Sequence, residues 1–164
     1  TAQAAAVTDT LTGALNRRGF DQAHDREAAR SRRSGSPLAL ALIDLDDFKH
    51  LNDTLGHQAG DEALIHLVHT LRSALRPSDI LGRFGGEEFV LMLPDTGLDE
   101  AVTALTRFQR QLADCRVTGS GVALSFSAGV VVQSPGESLR ESIERADAAT
   151  YAAKRAGKNR VFTG

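Results

Sequence analysis

The chain has 164 residues, 41% of them hydrophobic and 24% charged, with a formal net charge of -2. That suits one globular domain with a real core, gives no reason to expect a DNA or RNA partner, and leaves no apolar run near the roughly 20 residues needed to cross a bilayer. The single Cys115 excludes an internal disulfide and a thiolate zinc cluster, and the five histidines show no metal-binding spacing.

The opening Thr1-Ala2-Gln3-Ala4-Ala5-Ala6-Val7 has no initiator methionine and no signal-peptide pattern. Residues 1–8 read as the end of a helical linker from an upstream module, with residues 9–164 as the domain. A processed or trimmed terminus is the other reading. After the polar turn Asp9-Thr10-Leu11-Thr12-Gly13, Asn16 is placed to cap a helix over 17–34, stopped by Gly35-Ser36-Pro37. A strand over 38–45 is apolar on both faces until Asp44, as a central strand covered by helices should be. Residues 46–55 read as a short helix and polar turn, closed by Gly56 and Gly60. A helix over 61–76 carries Leu64, Leu67, Val68, Leu71 and Leu75 on one face and ends at Pro77.

Apolar stretches at 80–81 and 89–93 flank Gly85-Gly86, a strong hairpin signal. A helix over 98–113 repeats Val102, Leu105, Phe108 and Leu112, and Cys115 beside it reads as a small buried hydrophobe. A strand over 122–132 is interrupted by Ser125, Ser127 and Gly129. A last helix over 137–156 stops at Gly157, and Val161-Phe162 supply an edge strand. The order predicts an α/β fold, one sheet with helices packed on it.

The chemistry concentrates in two places. Asp44 ends a buried strand, where a carboxylate is costly unless paired or bound to a cation, and Glu87-Glu88 project from a hairpin turn. Should the hairpin lie beside the strand, these hard oxygens converge into a magnesium or manganese site. The competing reading makes Asp44 a turn cap and Glu87-Glu88 solvated residues. Lys49, Lys154 and Lys158 suit the outer oxygens of a triphosphate, or equally serve as surface charges at helix ends. Asn52 and Asp61 match the edge of guanine; alternatively Asn52 is a turn residue and Asp61 the cap of its helix.

Taken together, the motifs resemble the GGDEF family of diguanylate cyclases over nearly the whole chain. The opening Asp9-Thr10-Leu11-Thr12-Gly13 with Asn16-Arg17-Arg18, the segment from Asp44 to Lys49, and Asn52 to His57 with Gly60-Asp61 follow the family order. So do Arg83-Phe84-Gly85-Gly86-Glu87-Glu88-Phe89, the GGEEF form of the signature loop, and the closing segment from Ala146 to Arg160. The departures are small: Ala14 stands where relatives commonly have leucine, and Lys158 where many have arginine.

The resemblance implies a nucleotidyl-cyclase-like central mixed sheet of about five strands surrounded by helices, the signature loop on a β-hairpin. It implies condensation of two GTP into cyclic di-GMP with release of two pyrophosphates, by an antiparallel homodimer of domains. Asp44, Glu87 and the backbone carbonyl of Leu45 would bind Mg2+ or Mn2+, and Asn52 and Asp61 guanine. Lys49, Lys154 and Lys158 would hold phosphates, and Glu88 would join Glu87 and Asp44 in the chemistry. Arg76 and Asp79, upstream of the loop, resemble an inhibitory site for the product cyclic di-GMP, with Arg107 as a further contact. An upstream sensory or receiver domain is implied, as is a cytoplasmic setting without membrane contact by this domain, even in a parent anchored at the inner membrane. The alternative is a catalytically silent module that binds GTP or cyclic di-GMP.

Overall fold

The apolar run at 38–43 forms the middle of the fold, β1 (Leu38–Leu45), in the computed structural model, which describes residues 4–164. Before it come a short 3-10 helix (Ala4–Val7) and α1 (Arg17–Ser34). The expected linker begins outside the described residues, at Thr1 to Gln3. After β1 come α2 (Phe48–Leu55), α3 (His57–Ala74), β2 (Ile80–Gly85), β3 (Glu88–Pro94) and α4 (Leu98–Leu112). β4 (Phe126–Val132), α5 (Leu139–Arg155) and β5 (Val161–Thr163) complete the chain. The sheet order is β2-β3-β1-β4-β5, with β4 and β5 parallel and every other pair antiparallel. This is the mixed five-stranded sheet that the resemblance implies.

β1 is central because both of its faces are apolar, and its alternation splits the core into two layers. Ala39, Ala41 and Ile43 pack with Leu64, Leu67 and Leu71 of α3 and Leu105, Phe108 and Leu112 of α4. Leu38, Leu40 and Leu42 pack on the other face with Phe20 and Ala23 of α1 and Ala146 of α5. The caps follow the sequence: Asn16 Oδ1 accepts from the Gly19 amide at 2.9 Å, and Ser138 forms a capping box with Glu141.

Several boundaries differ from expectation, and three element starts are informative. α3 begins at His57 rather than Asp61, so Gly60 lies inside it and Asp61 is not its cap. The glycine is kept there because the Asn52 side chain occupies the space a Cβ would need, its Oδ1 falling 1.8 Å from that point. β4 begins at Phe126 rather than 122, because the segment before it folds back on α3: Glu62 Oε2 accepts from the Thr118 amide at 2.6 Å and its hydroxyl at 2.9 Å. α5 begins at Leu139, since Ser138 rather than Glu137 provides the cap.

Glu137 instead receives Arg145 at 2.7 Å, the Ser142 hydroxyl at 2.8 Å and the Ser134 amide at 3.1 Å. Arg145 also donates to the Val132 carbonyl at 2.8 Å, which ties α5 to the end of β4. The Arg145 hydrogen bonds hold the Glu137 carboxyl down to about 2 from its ordinary 4.5. A depressed folded-state value stabilises the fold above the unfolded value and loses that contribution as pH falls through the folded one. Glu137→Gln is therefore expected to lower the melting temperature at neutral pH, with the gap closing between about pH 4.5 and about pH 2; a constant gap in melts across that range would contradict the assignment.

Candidate active site

The antiparallel register of β1 and β3 sets Asp44 opposite Glu88, and the Leu45 amide donates to the Glu87 carbonyl at 3.3 Å. The hairpin thus lies directly beside β1, and the three carboxylate-bearing residues gather at one end of the sheet. Glycine is required at Gly86, which takes φ +35°; Gly85 has ordinary φ and open space where a Cβ would stand. Arg83 holds the loop from below: its Nε donates to the Gly86 carbonyl at 3.0 Å, and its NH1 pairs with Asp9 at 3.2 Å. Asp9 in turn accepts from the Thr12 amide and hydroxyl, so the opening turn and the signature loop form one unit.

Burial pushes the Asp44 carboxyl above its ordinary value; Lys154 opposes the shift, and Glu87 and Asp46 add to it. Desolvation likewise raises Glu88, with repulsion from Asp44, Asp147 and Glu87 behind it and Arg17 opposing. Such shifts are frequent where carboxylates are assembled for chemistry.

Lys154 reaches this point because α5 lies very close to β4. A Cβ on Gly129 would fall 2.1 Å from the Ala146 carbonyl, so only glycine permits the approach, and the Thr150 hydroxyl fastens it with a 3.0 Å bond to the Leu42 carbonyl. The Lys154 ammonium then sits 2.9 Å from Asp44 Oδ1, 3.2 Å from the Leu45 carbonyl and 3.3 Å from Asp46 Oδ1. One turn of chain later, Lys158 pairs with Asp47, the left-handed residue ahead of α2. Lys49 is exposed on α2. Asn52 lies on the face of α2 against α3, its amide over Gly60 and hence beside Asp61, which is exposed.

Arg76, Asp79 and Arg107 line a separate cavity of about 150 Å³ between the end of α3 and α4. Arg76 binds Asp79 at 3.0 Å and also donates to Thr96 Oγ at 2.7 Å and the Pro94 carbonyl at 2.9 Å. Arg107 lies over the Phe108 ring at 5.5 Å. Cys115 is half-buried, 3.6 Å from the Thr70 hydroxyl.

Sequence reasoning overlooked Asp46. Its side chain is only 2% exposed and accepts from the hydroxyls of Ser125 at 2.7 Å and Ser127 at 2.6 Å and from the Asn159 amide at 2.9 Å. The signal was present as two polar residues at alternate positions entering an otherwise apolar strand. Asp147, beside Glu88, was overlooked as an electrostatic neighbour.

A family model described as "Diguanylate cyclase, GGDEF domain" matches residues 6–160. The chain belongs to the GGDEF family. Diguanylate cyclase DgcP of Pseudomonas aeruginosa is 42% identical over 158 residues, which cover 95% of this chain and 24% of that protein. This GGDEF chain therefore spans about a quarter of that relative's length. Its fold matches the crystal structure of the GGDEF domain of DgcB from Caulobacter crescentus in complex with c-di-GMP, with TM-score 0.90, 36% identity and coverage of 96% of this chain and 93% of that one. The active GGEEF domain of a diguanylate cyclase from Vibrio cholerae matches with TM-score 0.85 and 32% identity, over 90% of this chain and 96% of that one. Like the latter, this GGDEF domain has glutamate at both acidic positions of the loop.

Proposed function

We propose that this domain is a diguanylate cyclase, condensing two GTP into cyclic di-GMP and two pyrophosphates as an antiparallel pair of domains. The observation that carries the reading is the Asp44–Glu88 register pair, with an ammonium seated on Asp44 Oδ1 and the Leu45 carbonyl. Among the described residues no three His, Cys, Asp or Glu side chains form a metal nest. The protein ligands offered are therefore two carboxylates and a carbonyl, which suits an ion that keeps water and phosphate oxygens in its shell. Oxygens that accept an ammonium fit Mg2+ or Mn2+, and Asp44, Glu87 and the Leu45 carbonyl would hold it. Bound there, the ion would supply charge neutralisation of the triphosphate and acidification of the attacking hydroxyl.

The chain's own side chains bind, orient and move a proton. The Asp61 carboxylate accepts from the N–H groups of guanine and the Asn52 amide donates to its acceptors. Lys49, Lys154 and Lys158 take phosphate oxygens. Glu88, whose carboxyl burial raises above its ordinary value, orients the 3'-hydroxyl and accepts its proton. The 3'-oxygen of one GTP bonds to the α-phosphorus of the other as the bond to pyrophosphate breaks, and a second such step closes the ring. Each domain has one guanine-reading pair, so two domains must face one another, and catalysis rests largely on positioning. Gly85 supports the reading: nothing within the domain needs a glycine there, whereas close approach of a nucleotide does.

A sensory or receiver module in the same protein would set how two domains meet. Among the described residues no helix is long and apolar enough to cross a membrane. A GTP substrate puts the working domain in the cytoplasm, whether or not the parent protein is anchored at the inner membrane. The Arg76–Asp79–Arg107 cavity is the inhibitory product site, its guanidinium groups suited to phosphate and Asp79 to guanine.

The test is incubation of concentrated protein with GTP and Mg2+ or Mn2+, with nucleotides resolved by chromatography. Cyclic di-GMP formation should rise more than linearly with protein concentration. GTP bound without turnover, even after fusion to a dimeriser, would favour the silent binding module. Gly60→Ala should leave the melting temperature within a few degrees, because the atom displaced is the tip of a flexible side chain and alanine favours the helix. It should nonetheless raise KM for GTP roughly tenfold, about 1.4 kcal/mol, by moving Asn52; an unchanged KM would remove Asn52 from guanine recognition. Added cyclic di-GMP should slow turnover, and Arg107→Ala, which leaves the Arg76 bonds intact, should weaken that inhibition. Equal inhibition of both proteins would exclude Arg107 from the product site.

A further inference from the structure

Lys154 and the proposed metal compete for the same oxygens. Its ammonium lies on Asp44 Oδ1 and on the Leu45 carbonyl, two of the three groups assigned above to the ion. A divalent cation that took Asp44 Oδ1 and the Leu45 carbonyl would meet the ammonium within ionic contact and with like charge, so occupying those two oxygens together is costly. A metal takes both of those oxygens only as Lys154 gives them up.

Asp46 supplies somewhere for it to stay. The ammonium is already 3.3 Å from Asp46 Oδ1, and that carboxylate is buried and fixed by Ser125, Ser127 and the Asn159 amide. These bonds come from Ser127 of β4, from Ser125 just before it and from the turn after α5, so Asp46 does not swing with the hairpin loop. They also occupy both carboxylate oxygens, which makes Asp46 a poor candidate for a metal ligand itself. A buried carboxylate with three neutral donors keeps its negative charge uncompensated unless a cation stays beside it. Retaining Lys154 therefore stabilises Asp46 while Asp44 changes partner. The Lys154 side chain is 25% exposed, enough for its head to pivot toward solvent and incoming phosphates without leaving Asp46.

We propose that Asp46 is a positioning residue that retains the Lys154 ammonium while Asp44 Oδ1 and the Leu45 carbonyl, on which that ammonium lies, pass to a divalent cation. The exchange rests on the metal assignment made under the proposed function. It makes Lys154 a gate on metal entry, in addition to its phosphate role, and it explains why a lysine and a second aspartate sit together behind the ligands.

The test needs no nucleotide and no turnover. Free Mn2+ is titrated by electron paramagnetic resonance against the wild-type domain, Lys154→Met, Asp46→Asn and the double variant, with melting curves as a folding check. Lys154→Met should bind Mn2+ roughly threefold or more tightly, having lost the competing charge. Asp46→Asn should bind it more weakly, since Lys154 then has only Asp44 to hold. The double variant should match Lys154→Met, because Asp46 acts through a lysine that is no longer there. Unchanged or weaker Mn2+ binding by Lys154→Met overturns the exchange, as does an Asp46→Asn effect that persists in the double variant. Lys154 lies at the rim, so the first comparison stands even if Asp46→Asn does not fold. Adding Asp44→Asn to Lys154→Met separates the two levels. Mn2+ affinity retained there overturns the metal assignment and the exchange together, whereas its loss there, with no gain from Lys154→Met, overturns the exchange alone.

Discussion

The site depends on one constraint, the antiparallel register between β1 and β3. Side chains alternate across a strand, so a slip of one residue would carry Asp44 to the opposite face from its present neighbours. The same slip would exchange the two core layers, moving Ala39, Ala41 and Ile43 into the space of Leu38, Leu40 and Leu42. Each large side chain misplaced that way forfeits about 1.5–3 kcal/mol of burial, more in sum than a marginally stable domain has to lose. The apolar core therefore dictates which carboxylates meet.

Glycine serves this geometry in different ways, and the differences are informative. At Gly129 a Cβ would strike backbone atoms of α5, so the residue sets how near Lys154 comes to β1. At Gly60 it would strike only the tip of Asn52, so the residue sets where an amide points rather than whether two helices pack. At Gly86 the need is conformational, a left-handed φ in a two-residue turn. Gly85 has neither reason within the chain. On the proposed function, Gly85 is where a nucleotide would come close.

Much of this was legible in the sequence because it obeys local rules. β1 and α1 have the limits read from the apolar run at 38–43, the Asn16 cap and the stop at Gly35-Ser36-Pro37. The Gly85-Gly86 turn located the hairpin, and the end of an apolar strand located Asp44. Gly60 misled, because a glycine before an acidic residue looks like a helix start; the contact with Asn52 that overrides this belongs to tertiary packing. Asp46 was missed for a related reason. Sequence shows Asp44, Asp46 and Asp47 as near equivalents, whereas the fold pairs the first with a lysine, buries the second under two serines, and leaves the third on a left-handed cap beside Lys158. What distinguishes them is β4 and the turn after α5, both more than seventy residues away in the chain.

The two ends of α5 show how stability and chemistry are kept apart. At its start, Arg145 holds Glu137 ionised well below the ordinary carboxylate range, so this end adds stability at any working pH. At its finish, Lys154 faces Asp44, whose carboxyl is raised, near Glu88, whose carboxyl is raised as well. For a carboxyl with a raised folded-state value the sign reverses: stability falls as pH rises through that value, and at neutral pH the group is held ionised at a cost. One lysine does not cancel the repulsion among Asp44, Glu87 and Glu88, so the free domain carries an unfavourable charge cluster that a further cation relieves. Any cation bound by the folded state alone also stabilises it by mass action. The cluster is tolerated because the anchoring at Glu137 and the two core layers lie elsewhere, and its unbalanced negative charge is what the proposed metal ion would offset.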